Sequence, residues 1–146
     1  MVKLLEVKYS DSFIIKEKMT TIVKLKDLSF ALLKCWGADT AKGEWREDVP
    51  SLNQCAVTAL VVQDYFDGDL MRCPLSDGDS HYWNRLPDGN EIDLTFQQFA
   101  YTHQIDINGE TIVRDRDYVL SFPDTVKRYD ILRHRVKEVL FGQNST

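Results

Sequence analysis

Apolar and polar positions alternate along the chain in patterns that change every ten to twenty residues. Leu5, Val7 and Tyr9 alternate before Ser10-Asp11-Ser12, and Phe13, Ile14 and Ile15 follow, which predicts a hairpin over the first 20 residues. Leu25, Leu28, Leu32 and Trp36 then fall on a single helical face, with Gly37 as a stop. Residues 39–50 are polar and aperiodic and read as a loop. From Ser51 the helical period returns: Ser51 and Gln54 match a capping box, Val57, Leu60, Val61 and Tyr65 keep helical spacing, and Gly68 closes the run.

Beyond Gly68 the period shortens to two. Residues 70–73 and 81–86 read as strands, separated by a turn at Ser76 to Asp79, and Pro87-Asp88-Gly89 leads into a further strand at 91–95. Thr95 and Gln98 fit the cap of a short helix. A second hairpin is predicted around Asn108-Gly109 within 104–113, followed by a long helix from Pro123 to Phe141 that turns Val126, Tyr129, Val136 and Leu140 inward and stops at Gly142. This order predicts a single α+β domain over 1–146: an N-terminal extension (1–20), a core (22–100), and a hairpin plus C-terminal helix (101–146).

Composition narrows the function classes. With 146 residues, 43% of them apolar, the chain can bury one core. No apolar run approaches the roughly 20 residues of a membrane span, and the mixed-charge start does not resemble a secretion signal, so no membrane partner is expected. The net charge of −5 disfavours nucleic acid. Three cysteines, Cys35, Cys55 and Cys73, are an odd number without a paired Cys-x-x-Cys, which argues against a disulfide framework and a zinc site and for a cytoplasmic setting. The oligomeric state is left open.

Cys55 falls in the first turn of its helix, where the unsatisfied N–H groups and the positive dipole end favour a thiolate. A thiolate nucleophile needs a base, and the base needs an orienting group. His134 lies between Arg133 and Arg135, and His103 has no acidic or cysteine-rich surroundings. His81 opens a strand after Cys55, and Asp93 follows on the next strand. Their relation depends on the turn. A two-residue loop sets Asp93 opposite Asn84, on the wrong face. A three-residue loop, with Pro87 setting a type I turn and Gly89 left-handed, pairs Leu86 with Asn90 and Trp83 with Asp93, which makes Asp93 a diagonal neighbour of His81.

These residues also carry a resemblance. Asn53-Gln54-Cys55-Ala56-Val57 is similar to the nucleophile segment of transglutaminases, and His81-Tyr82-Trp83-Asn84, Pro87-Asp88-Gly89 and Ile92-Asp93-Leu94-Thr95 resemble their histidine strand, turn and aspartate strand. Over about residues 22–100 the chain resembles more closely the small bacterial YunG-like proteins, through Gln54-Cys55-Ala56-Val57, Gln63-Asp64-Tyr65-Phe66 and Ser80-His81-Tyr82-Trp83-Asn84-Arg85-Leu86.

The resemblance to transglutaminases implies a papain-like fold with the cysteine helix packed on an antiparallel sheet. It implies Cys55 as nucleophile, His81 as general base and acid and Asp93 as its orienter, with the Cys55 N–H, Gln54 and Asn53 at the oxyanion and Trp83 and Asn84 beside the substrate. Ala56 stands where transglutaminases carry an aromatic residue, so their specificity is not implied. The chemistry expected is thiol-dependent acyl transfer (amide or ester hydrolysis, deamidation or transamidation) without cofactor or metal. The alternative is an inactive papain-like module that binds a peptide or small ligand. Metal binding by Cys55, Cys73 and His81 lacks ligand spacing. Residues 64–93 hold eight acidic groups against Arg72 and Arg85, a net −6, which favours a neutral or amine-bearing peptide or small-molecule substrate.

Overall fold

The computed structural model describes residues 23–100, 105, 106 and 108–142. The predicted N-terminal hairpin, His103 and part of the segment around 101–107 lie outside the described residues.

Helix α1 (Leu25–Cys35) buries Leu25, Leu28, Ala31, Leu32 and Cys35, the face its spacing predicts. Asp27 in its first turn accepts the Lys24 backbone N–H at 3.3 Å, which satisfies one donor that the helix leaves open. Helix α2 (Cys55–Phe66) is apolar nearly all round, the composition of a helix enclosed on several sides. It packs against the sheet and also against the C-terminal helix α4 (Pro123–Phe141), while α1 packs on α4. Helix α4 contributes Tyr129, Leu132 and Val136 to the shared core. A short helix α3 (Arg116–Val119), not predicted from the sequence, precedes it.

Strands β1 (Asp69–Pro74), β2 (Ser80–Arg85), β3 (Glu91–Ile92) and β4 (Ile112–Arg114) form an antiparallel sheet in the order β3-β2-β1-β4. The chain leaves α2 through Asp67 (φ 61°) and Gly68 (φ 87°). A Cβ at Gly68 would collide with the Arg85 carbonyl oxygen, so glycine is required for strand β2 to pass this close. The architecture is therefore α+β, with α2 between an antiparallel sheet and the other helices.

One local expectation is corrected. Ser51 and Gln54 form no capping box: Gln54 is itself the N-cap and makes no side-chain cap bond, and the buried Ser51 Oγ has no partner among the described residues. The Gln54 amide instead bonds Gly37 O (3.0 Å) and Thr40 Oγ1 (2.8 Å), a long-range use that local pattern cannot reveal. The segment around Asn108-Gly109 turns, with Gly109 N–H donating to Asp106 O, and among the described residues Ile105 bridges Leu75 and β4 pairs with β1. The short helix expected after Thr95 is present as a 3-10 turn over Phe96–Ala100. No helix among the described residues is long and apolar enough to cross a membrane.

Candidate active site

The β2–β3 turn sets the site's geometry. Leu86 N–H donates to Asn90 O (2.7 Å), Gly89 N–H to Leu86 O (2.8 Å), and Gly89 has φ 91°, which is the three-residue loop with a left-handed glycine. Register follows: Asn84 faces Ile92 and Arg85 faces Glu91. Extending that register one step sets Asp93 opposite Trp83, and the His81 ring reaches it, with Nε2 2.6 Å from Asp93 Oδ2.

Asp93 is held from its other oxygen. Oδ1 accepts the Thr95 backbone N–H (2.9 Å) and the Thr95 hydroxyl (3.0 Å), so the carboxylate cannot rotate away from the ring. The chain of bonds continues: Gln98 Nε2 donates to Thr95 Oγ1 (2.9 Å), and Gln98 Oε1 accepts the Asn53 backbone N–H (3.1 Å). The residue that orients the histidine is thereby tied to the loop that precedes Cys55. Gln98 is buried and lines the cleft; its spacing from Thr95 fits a helix cap, and only its place across from Asn53 shows its use.

Nε2 is committed to Asp93, and Cys55 lines the same cleft as the ring. The His81 ring is 2% exposed, stacked on Trp83 (5.6 Å between centroids) and edge-on to Phe99 (4.5 Å). Burial is the strongest influence on its pKa and pulls it down, yet the hydrogen bond with Asp93 and the nearness of Cys55, together with their charges, exceed it and raise the pKa to about 9. The ring is therefore an imidazolium at neutral pH.

Cys55 opens α2, so its own N–H has no acceptor inside the helix, and its Sγ lies 3.8 Å from Ser80 O. It is half-buried, whereas Cys35 and Cys73 are buried. Burial pushes both of those thiols up, with Arg135 and Lys34 opposing it weakly at Cys35 and Arg72 at Cys73. Cys73 faces His81 across the β1–β2 ladder, but among the described residues no group of three or more His, Cys, Asp or Glu is arranged to hold a metal.

Cys55, His81, Asn53 and Gln98 line a cleft of about 310 Å³. The remaining residues expected at the site divide differently. Gln54 is fully buried and occupied by Gly37 and Thr40, outside the cleft. Asn84 is also buried, its Nδ2 donating to Ala59 O in α2 at 2.9 Å, and it does not line the cleft. Trp83 lines a separate apolar groove of about 660 Å³, in which His81 and Asp93 also take part, and its Nε1 donates to Glu91 at 2.6 Å. Asn53 stays at the cleft in a left-handed conformation (φ 61°), its Nδ2 bonded to Glu44 O.

The acidic run over 64–93 does not carry its charge into the cleft. Asp64 is paired with Arg116, Asp69 with Arg85, and Asp93 with His81, while Asp88 holds its own turn through Asn90. Of that run only Asp79 lines the cleft, and it is paired with Lys42 at 2.8 Å. The sequence reading also passed over Arg72, Tyr82 and Arg114, which do line it. The alternation Leu70, Arg72 along β1 was the available signal for Arg72.

A family model described as YunG protein matches residues 24–141. The chain is 33% identical over 75 residues to "Uncharacterized protein YunG" of Bacillus subtilis (strain 168), covering 51% of this chain and 63% of that relative. No solved structure matches. The matched region takes in Cys55, His81, Asp93 and the helices around them, and the chain belongs to the YunG family.

Proposed function

We propose that the protein performs thiol-dependent acyl transfer on a peptide or small-molecule amide or ester, with Cys55 as nucleophile, His81 as general acid and base and Asp93 as the positioning residue. The observation that carries this reading is the short bond between His81 and Asp93 in a cleft that Cys55 lines from the first turn of α2. A papain-like arrangement is the finer reading of the fold, in which the nucleophile opens a central helix packed on an antiparallel sheet. The free thiols fit a reducing, cytoplasmic setting.

The steps follow from the geometry. Sγ attacks the carbonyl carbon, the S–C bond forms, and the carbonyl electrons move to oxygen beside the Cys55 N–H. A single donor of this kind contributes roughly 2.7–4 kcal/mol at the transition state. The intermediate collapses by breaking the C–N or C–O bond, and the leaving group takes the His81 proton. Water or an amine then gives a proton to His81 and attacks the thioester, and the S–C bond breaks.

The test is iodoacetamide labelling at pH 6–7 with the modified residue identified by mass spectrometry. Cys55 should react at least tenfold faster than Cys35 and Cys73, His81→Ala should slow it sharply, and a thiol-directed acyl probe should leave a thioester on Cys55 that water clears. Equal labelling of the three cysteines refutes the reading. A fast Cys55 that never turns over a thioester supports a binding module on the same scaffold.

A further inference from the structure

We propose that the cleft beside Cys55 recognises a carboxylate on the acyl substrate, through Arg72 and Arg114. The proposal rests on the acyl-transfer reading above and names its substrate class. Register carries both side chains to one place. Arg72 lies opposite Tyr82 on β2 and opposite Ile112 on β4, and Arg114 is two residues beyond Ile112. Arg72, Tyr82 and Arg114 therefore share a sheet face, and all three line the cleft with Cys55 and His81.

The cleft's other charges are already matched. Lys42 pairs with Asp79 (2.8 Å), and the buried Arg128 is spent on Asp124 (2.8 Å), Thr125 and Thr40 O. Arg72 and Arg114 have no carboxylate partner among the described residues. Each is instead held by neutral groups that fix its direction without neutralising it. Arg72 Nε donates to Ser80 Oγ at 2.9 Å. Arg114 shares its sheet face with Tyr82 and lies over the Tyr118 ring at 4.4 Å, while its buried Nε has no partner among the described residues.

Two oriented guanidinium groups without counter-ions, in a concave site next to a nucleophile, form a receptor for a planar anion. An Arg–carboxylate pair makes two parallel bonds and is strengthened where water is excluded. A buried donor without an acceptor is costly to leave unmade, which gives a ligand oxygen near Arg114 an added gain. The volume of about 310 Å³ is at the lower end for ligand pockets and suits a small carboxylate-bearing amide or ester, or the free C-terminal end of a peptide. This reverses the expectation of a neutral or amine-bearing substrate, which came from counting charges along the chain.

Iodoacetate and iodoacetamide test it, since they differ chiefly in one negative charge and undergo the same displacement, an S–C bond forming as the C–I bond breaks. The rate ratio of iodoacetate to iodoacetamide at Cys55, divided by the same ratio for glutathione, should be tenfold or more. Arg72→Gln and Arg114→Gln should each lower it at least threefold, Arg72→Lys should lower it less, and Arg133→Gln, on the far helix face, should leave it unchanged. A ratio equal to that of glutathione overturns the proposal. So does a high ratio that both glutamine variants keep, which would assign the preference to the His81 imidazolium alone. If Arg114→Gln does not fold, as judged by its melting curve, Arg72→Gln decides. Fast iodoacetamide labelling of Cys55 with no anion preference leaves the acyl-transfer reading standing and removes only this inference. Failure of Cys55 to react with either reagent sinks both.

Discussion

Replacing Asp93 by Asn removes the charge that sustains the His81 imidazolium while keeping an oxygen for Thr95. In the wild-type protein the His81 pKa is raised from 6.5 to about 9. At 1.36 kcal/mol per pKa unit, that displacement corresponds to about 3 kcal/mol favouring the protonated ring. Burial acts in the opposite direction and remains in the variant, with only the Cys55 contribution still against it, so losing the carboxylate should lower the midpoint by more than half a unit. The imidazolium fraction, about 99% at pH 7 in the wild type, then begins to fall at a lower pH. The assay is a titration of the His81 ring resonances by NMR, with iodoacetamide rates at Cys55 measured over the same pH range. A midpoint within half a unit of wild type, or an unchanged rate at pH 7, would refute the assignment of Asp93 as the group that holds the histidine charged. Stability carries the same signature. The folded-state pKa lies above the unfolded one, so the pair's contribution is complete below about pH 6.5 and is lost as pH rises through about 9. Urea midpoints should fall across that window in the wild type and much less in Asp93→Asn.

Thr95→Val removes one bond to Asp93 and the acceptor for Gln98; Cys55 alkylation at pH 7 should slow several-fold with a melting loss of about 1–3 kcal/mol. Leu132→Ala empties a fully buried position among α1, α2 and α4 and should cost about 2–5 kcal/mol by urea denaturation without changing the Cys55-to-glutathione rate ratio in the folded protein. Gly68→Ala meets the Arg85 carbonyl at a positive φ and should lower stability by more than about 1 kcal/mol, read by the same unfolding curve.

The parts of the fold that could be read from sequence are those in which a local rule has a single solution. Leu25, Leu28 and Leu32 repeat at helical spacing, and only one face of α1 can then be buried. Pro87-Asp88-Gly89 admits one loop length that suits its chemistry, and that length alone fixes which strand face Asp93 shares with His81. Reading failed where a side chain is used at long range. Gln54 fits a local cap, but Thr40 and Gly37 take its amide. Asn84 sits in the motif with His81, yet it serves the Ala59 carbonyl of α2. Charge was the least legible property, because four of the eight acidic groups of 64–93 are matched by Arg116, Arg85, Lys42 and His81, partners scattered over 75 residues of chain. The potential inside the cleft depends on the cations left over.

The sheet ends quickly on both sides. Its flanking strands contribute two paired residues at β3 and three at β4 among those described, less than a typical strand of five or six. Such short margins give a visiting chain little backbone to pair with and guard against self-association through the sheet. A substrate arriving as a peptide would therefore gain little from strand addition. Selection would fall on whatever group it presents inside the cleft, so one chemical handle, rather than a sequence of residues, would decide which molecules are processed.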